Sequence, residues 1–188
     1  MKALLMGCGG IGSHFSDFVA SGIRNHTLDV DLSVADGDTV EAKNLLYSKF
    51  DVSDVGNNKA EAIGSRYVFD SIPKYIKKQG ALEAFDLVIL ATDDGKSRKM
   101  VFESDKEWID MRGKGSGFAV FTKGCKKTDE MLKTIDIKRP RESCQYENRL
   151  EQKQVDAGNI ISAAIGYQML INMVRYGKNS VKEFRGLL

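Results

Sequence analysis

The sequence predicts one α/β domain, a mainly parallel sheet with helices on both faces, and three observations carry that prediction. A short apolar run at residues 3–6 ends in a cluster of glycines. A helical period of apolar residues follows it, and two further strand-like runs near 30–35 and 85–91 are separated by a second helical stretch. Strand, helix, strand, helix, strand is the order that a parallel sheet with crossover helices requires.

Each element has its own warrant. Ala3, Leu4, Leu5 and Met6 form a continuous apolar run, which suits a central strand covered on both faces. Ile11, Phe15, Phe18, Val19 and Ile23 fall at helical spacing and predict an amphipathic helix of about three turns. Val30, Leu32 and Val34 alternate, so a second strand should run into Ala35 and Asp36. Residues 56–67 read as a helix with Ala60, Ile63 and Tyr67 on one side, and residues 74–78 as a short edge strand beside Pro73. Residues 85–91 form a clear strand ending at Thr92-Asp93-Asp94. Residues 108–111 and 118–122 are further strand candidates, and additional antiparallel strands are expected after residue 105. From 123 to 156 charged residues dominate without a clean period, as expected of a mobile charged loop within a single domain spanning 1–188. Residues 160–176 then predict a helix apolar nearly all round, buried on more than one side.

Composition narrows the classes. A formal net charge of +2 over 188 residues is too small to make nucleic acid the main partner. The first residues show no cationic region or cleavage site of a signal peptide, and Gln168 and Asn172 interrupt the longest apolar stretch, so no membrane span is expected. Cys8, Cys125 and Cys144 make no CxxC pair and no disulfide framework, which points to a reducing, cytoplasmic setting.

Gly7-Cys8-Gly9-Gly10-Ile11-Gly12 satisfies GxGxxG between a predicted strand and a predicted helix, the context that gives this motif meaning. The first glycine permits a tight turn, the second lets backbone approach a phosphate, and the third lets helix and strand pack closely. Amides at the helix start, at the positive end of its dipole, favour an anion. The expected fold is therefore Rossmann-like. Asp36, at the end of the second strand, is placed to accept hydrogen bonds from ribose hydroxyls. These features suit NAD, FAD and ATP alike. Of the two histidines, His14 and His26, His14 lies in the first turn after the glycine loop and reads as helix surface or nucleotide-adjacent, not as a catalytic group.

The residues after Asp36 separate those ligands. Asp36-Gly37-Asp38-Thr39-Val40-Glu41-Ala42-Lys43-Asn44-Leu45 resembles the DxDxVxxxNL block of the superfamily that contains ThiF, MoeB and the ubiquitin-activating enzymes. Val55-Gly56-Asn57-Asn58-Lys59-Ala60 is similar to its VGxxKA block, and Ala91-Thr92-Asp93-Asp94 with Arg98 resembles its CTDN segment and trailing arginine. The resemblance covers roughly residues 3–122 and 155–178. It implies an ATP-dependent adenylyltransferase that activates the C-terminal carboxylate of a ubiquitin-fold or peptide partner, with ATP and Mg²⁺ as cofactors. By that resemblance Gly7, Gly9, Gly10 and Gly12 line the phosphates and Asp36 holds the ribose, with Asp38 beside it. Asn44 and Lys59 contact the triphosphate, Lys59 as a catalytic point charge, and Asp93 holds Mg²⁺ as the second catalytic residue. A homodimer or heterodimer is also implied.

The sequence departs from that pattern at defined places. Tyr47 stands where the family has a phosphate-gripping arginine, and Lys49, Arg98 and Arg112 are the candidate replacement cations. The arm that carries a cross-dimer arginine in many members is expected to be missing. No structural zinc is expected, because the paired CxxC motifs are absent. Two alternatives stay open: a catalytically weakened subunit that binds nucleotide or partner without turnover, and an NAD-dependent oxidoreductase resting on the glycine loop alone.

Overall fold

A computed structural model describes residues 1–125, 144–179 and 182–187. Among these residues seven strands form one sheet, ordered β3-β2-β1-β4-β5-β6-β7. In chain order these are β1 (Lys2–Met6), β2 (Asp31–Ala35), β3 (Asp70–Ile72), β4 (Leu87–Leu90), β5 (Glu107–Lys114), β6 (Gly117–Thr122) and β7 (Glu183–Leu187). Among the described residues five α-helices accompany them: α1 (Gly10–Arg24), α2 (Lys59–Tyr67), α3 (Gly95–Phe102), α4 (Glu147–Glu151) and α5 (Gly158–Tyr176).

β3, β2, β1, β4 and β5 are parallel neighbours, while β6 and β7 add antiparallel ribbons at one edge. The antiparallel strands expected after residue 105 are β6 and β7, and β5 joins them to the parallel part of the sheet, antiparallel to β6 and parallel to β4. α3 carries the chain back across the sheet between β4 and β5, as a parallel connection requires. The predicted edge strand at 74–78 differs. The edge is β3, and Pro73 with the tight turn closed by Lys74 N–H donating to Ile72 O (2.8 Å) ends the pairing first. β7 has no counterpart in the sequence reading.

Two buried layers hold the sheet. Leu5, Phe15, Val34, Ile63, Ile89, Met111 and Leu170 belong to the layer under α1, α2 and α5. Leu4, Val88, Leu90, Val101, Phe102, Trp108 and Phe121 fill the other face, where Phe102 stacks on Trp108 at 4.4 Å. Continuous burial of β1 and β4 explains why these strands are apolar at every central position instead of alternating. α5 packs on α1, β5 and β6 at once, as its all-round apolar sequence demands. The predicted mobile loop at 123–156 falls partly outside the described residues. Its described end holds α4 and the Gln145 side chain, which donates to Asp156 O and Asn159 Oδ1 and accepts from Asp156 N–H. Among the described residues no helix is long and apolar enough to cross a membrane.

Candidate functional site

The glycine loop leaves β1 at the carboxyl end of the parallel strands. Gly7 has φ +100°, and a Cβ there would sit 2.7 Å from the Ala91 carbonyl, so only glycine fits. Gly12 is held still more tightly, since an added Cβ would lie 1.9 Å from Gly7 O. Gly9 is the opposite case, with nothing within 4 Å of an added Cβ. It precedes α1 as the N-cap, and no side chain caps the helix. Open backbone at the positive end of a 15-residue helix is the arrangement that receives a phosphate. Gly10 faces inward, against the ring of Tyr47 and the thiol of Cys144.

Asp36 directly follows β2 and points back to that loop. One carboxylate oxygen accepts the Cys8 N–H at 2.7 Å, and the other accepts the Asp38 N–H at 2.9 Å. Burial raises its pKa from the ordinary carboxylate value, opposed by these two N–H groups and by the nearby Lys59 ammonium. Asp38 accepts a hydrogen bond from the Tyr75 hydroxyl and pairs with Lys59 at 3.6 Å. Asn58 ties these parts together. Its side-chain oxygen caps α2 by accepting from Ala60 N–H (2.8 Å) and Glu61 N–H (3.2 Å), which is why the helix starts at Lys59 and not at Gly56. Its amide donates to Asp36 O and Asp38 O at 3.0 and 3.1 Å. The Lys59 side chain, 13% exposed, is thereby fixed beside the end of β2.

Asp93 follows β4 and is exposed. It is not the N-cap of α3; Asp94 does that, accepting from the Ser97 N–H (2.9 Å) and hydroxyl (2.6 Å). Asp93 is therefore outside the cap. Its charge and that of Lys59 both reach the thiol of Cys144, whose pKa burial pushes up to about 11. Asp93, Lys59, Cys144 and the glycine loop accordingly share one end of the sheet. Among the described residues no group of three or more metal-binding side chains gathers. A single exposed carboxylate beside the open glycine loop still fits Mg²⁺, which binds through one or two carboxylates with phosphate oxygens and water.

Other predicted site residues are held elsewhere. The Asn44 side chain, buried, accepts from Glu41 N–H (2.9 Å) and donates to the Tyr47 hydroxyl (2.9 Å), so it braces the turn at Ala42–Leu46 and positions Tyr47. Lys49 pairs with Asp17 at 3.1 Å, two turns along α1 from the loop. Arg98 Nε donates to Asp110 at 3.0 Å, and Arg112 Nε donates to the other Asp110 oxygen at 2.6 Å. That fully buried carboxylate thus occupies both arginines. The sequence reading missed Tyr75, Asn58 and Asn159. Asn58 had a local signal, an N-cap residue directly before a helical period. Tyr75 and Asn159 act across long sequence separations: the Tyr75 ring covers Gly37, and Asn159 donates to Tyr47 O at 2.9 Å.

A glycine turn at the end of a central parallel strand, feeding an uncapped helix beside a buried aspartate that follows the next strand, defines a Rossmann-like domain. The chain belongs to the ThiF family, whose sequence profile matches residues 1–167. Its fold resembles that of E. coli MccB in the crystal structure with succinimide, at TM-score 0.70 and 19% identity, covering 100% of this chain and 60% of that one. The same holds for selenomethionine PaaA, at TM-score 0.70 and 17% identity, again with 100% and 60% covered. MccB solved with ATP aligns at TM-score 0.67 and 18% identity, over 99% of this chain and 63% of that one. This chain therefore spans roughly 60% of the length of these structures. No curated protein sequence matches it.

Proposed function

We propose that the chain binds ATP–Mg²⁺ and adenylates the C-terminal carboxylate of a peptide or ubiquitin-fold partner. The observation that carries this reading is the convergence of open Gly9, buried Asp36, fixed Lys59 and exposed Asp93 at the carboxyl end of β1, β2 and β4. In the reaction a carboxylate oxygen of the partner bonds to the α-phosphorus, the bond to the β-phosphate oxygen breaks, and pyrophosphate leaves. Such a transfer needs alignment and charge neutralisation more than proton transfer. Gly9 and the first amides of α1 would hold phosphate oxygens, and Asp36 would orient the ribose. The Lys59 ammonium would neutralise charge growing on the leaving oxygens, and Asp93 would hold Mg²⁺, which supplies Lewis acidity when bound. MccB has been solved with ATP, with AMPCPP and MccA together, and with N-formylated MccA, which supports nucleotide and partner sharing one such fold.

A second reading is favoured by one specific observation. Lys49, Arg98 and Arg112, the candidates to replace the missing arginine, are all engaged by aspartates outside the loop. A subunit that binds nucleotide or partner without turnover, or one that borrows a cation from a second subunit, would look the same. Calorimetric titration with ATP–Mg²⁺ and with NAD⁺, using Asp93→Ala as control, tests the proposal. ATP binding that weakens in Asp93→Ala, followed by partner-dependent pyrophosphate exchange, supports adenylation. ATP binding without exchange supports the second reading, and NAD⁺ binding in place of ATP overturns both.

A further inference from the structure

A fully buried amide reaches the glycine loop from the inside of the domain. Asn159, the second residue of α5, is 0% exposed, and its hydrogen bonds leave its own helix. Its Nδ2 donates to Tyr47 O at 2.9 Å and to Gly10 O at 3.4 Å, across 112 and 149 residues of sequence. An asparagine that served only its helix would cap it, yet the N-cap of α5 is Ala157. Both donations end at Gly10, because the Tyr47 ring packs on that glycine.

The direction of the amide is set from behind. Asparagine and glutamine side chains can be turned end for end, so their neighbours decide which atom donates. The Gln145 side chain, also fully buried, accepts the Asp156 N–H at 3.0 Å and donates to Asp156 O at 2.9 Å. Backbone thus fixes its orientation, and its Nε2 reaches Asn159 Oδ1 at 3.4 Å. With Oδ1 accepting, Nδ2 must face Tyr47 O and Gly10 O. The main chain beneath is fixed as well. A Cβ on Gly158 would lie 2.4 Å from Gly115 O, and one on Gly113 would lie 3.2 Å from Asn159 Cα. The start of α5 is therefore wedged against the β5–β6 turn, which holds Asn159 at the loop.

We infer that Asn159 is a positioning residue for nucleotide phosphate: it holds Gly10 and Tyr47 in place, in an orientation that Gln145 imposes, so that the first amides of α1 are aimed before the ligand arrives. This role rests on the reading of the glycine loop as the ATP site. Gly9 on the open side and Gly10 on the packed side are consecutive, so a shift of one moves the other. A loop fixed in advance loses less freedom on binding and so binds more tightly. Asn159 itself touches no ligand; it acts through Gly10 and Tyr47.

Asn159→Ser draws the side chain out of reach of both carbonyls and tests the role. Ser162→Ala is the control, a fully buried position on the same helix whose hydroxyl donates to Ala119 O, away from the loop. Calorimetry well below the melting temperature of each chain should show ATP–Mg²⁺ affinity about tenfold lower in Asn159→Ser and unchanged in Ser162→Ala. Amide hydrogen exchange of the unliganded chains, read on peptides covering residues 7–14, should be faster in Asn159→Ser and not in the control. A residue that only stabilises the fold would lower the melting temperature and move neither reading. If Asn159→Ser does not fold, Gln145→Met releases the Asn159 amide one step further back and should give both changes at smaller size. Unchanged ATP affinity in the variant, or equal changes in Ser162→Ala, would overturn the role. A wild-type chain that fails to bind ATP removes the nucleotide reading and the phosphate role with it; faster loop exchange in Asn159→Ser would then keep Asn159 as the residue that holds the glycine loop, and unchanged exchange would remove that too.

Discussion

The ring of Tyr47 lies against the backbone of Gly10, close enough that a Cβ on the glycine would sit 2.9 Å from Tyr47 Cδ2. An aromatic residue thus packs on the glycine loop at the position where the family resemblance leads one to expect a guanidinium. The tyrosine is built in. It is 8% exposed, its hydroxyl accepts from Asn44, and its carbonyl accepts from Asn159. Tyr47→Phe removes the acceptor and leaves the buried Asn44 amide without it, so a loss of about 1–3 kcal/mol is expected in urea unfolding. ATP affinity should change little, because the hydroxyl faces Asn44. Tyr47→Arg should destabilise more, since it places a charge where an apolar ring packs. An arginine variant as stable as wild type would show that this position is wetter than its packing indicates.

Glycines of the loop should separate into structural and ligand-facing positions. Gly12→Ala drives a methyl to 1.9 Å from Gly7 O, a clash with backbone that nothing nearby can yield to. It should cost at least the 1–3 kcal/mol typical of overpacking and reduce the yield of folded protein. Gly9→Ala meets open space, so its melting temperature should hold while the methyl intrudes where phosphate oxygens would bind. Calorimetry on both variants checks this. If Gly9→Ala binds ATP as wild type does, the anion does not sit at Gly9.

Much of this arrangement is legible in the sequence, for physical reasons that also explain the misses. The central positions of β1 and β4 are buried on both faces, and α5 packs on α1, β5 and β6 at once, and burial writes itself into a chain as apolar runs. The loop and α2 carry punctuation that local conformation demands: Gly7 at positive φ and Asn58 at the helix cap. β3 and β7 are edge strands of polar or exposed residues, so no period marks them. Asp93 and Asp94 read alike in sequence, and only the geometry of α3 makes Asp94 the cap. The roles of Lys49 and Arg98 were beyond reach because their partners, Asp17 and Asp110, are set by tertiary packing.

The buried carboxylate of Asp110 should be a main structural charge of this domain. It is fully buried on β5 and held by two guanidinium groups, one from α3 and one from its own strand. Removing one partner of a buried pair strands the others without compensation. Asp110→Ala should therefore lose about 3–5 kcal/mol in denaturant unfolding. A loss below about 1 kcal/mol would mean that water reaches both arginines.

His14 should make stability depend on pH in a defined direction. Burial lowers its pKa from 6.5, and the adjacent Lys49 ammonium lowers it further, against smaller upward contributions from the Tyr47 carbonyl and Asp17. As pH falls, the unfolded chain takes up this proton near 6.5, before the folded chain does, so stability from this site is retained above 6.5 and lost below it. His14→Gln should flatten that part of the stability curve between pH 7 and 5. Proton NMR should place the folded His14 midpoint below 6.5, and a midpoint above it would contradict the burial.

Cys144 should react slowly for a partly exposed thiol. Burial raises its pKa to about 11, with the Asp93 carboxylate adding to the rise and Lys114 and Lys59 opposing it. Only about one molecule in a thousand would then carry the thiolate at pH 8, against roughly a quarter for an ordinary thiol near 8.5. Because the thiolate is the reacting form, alkylation of Cys144 by iodoacetamide should accelerate about tenfold per pH unit from 8 to 10 without levelling off. Peptide mapping of the folded chain distinguishes it from Cys8 and Cys125, both buried. Binding of ATP–Mg²⁺ should alter this rate, since the thiol lies on Gly10 and within reach of the charges on Asp93 and Lys59. A rate that levels off near pH 9 would mean that the thiol stands clear of the loop in solution, and the covered state of Gly10 would then not be the dominant one.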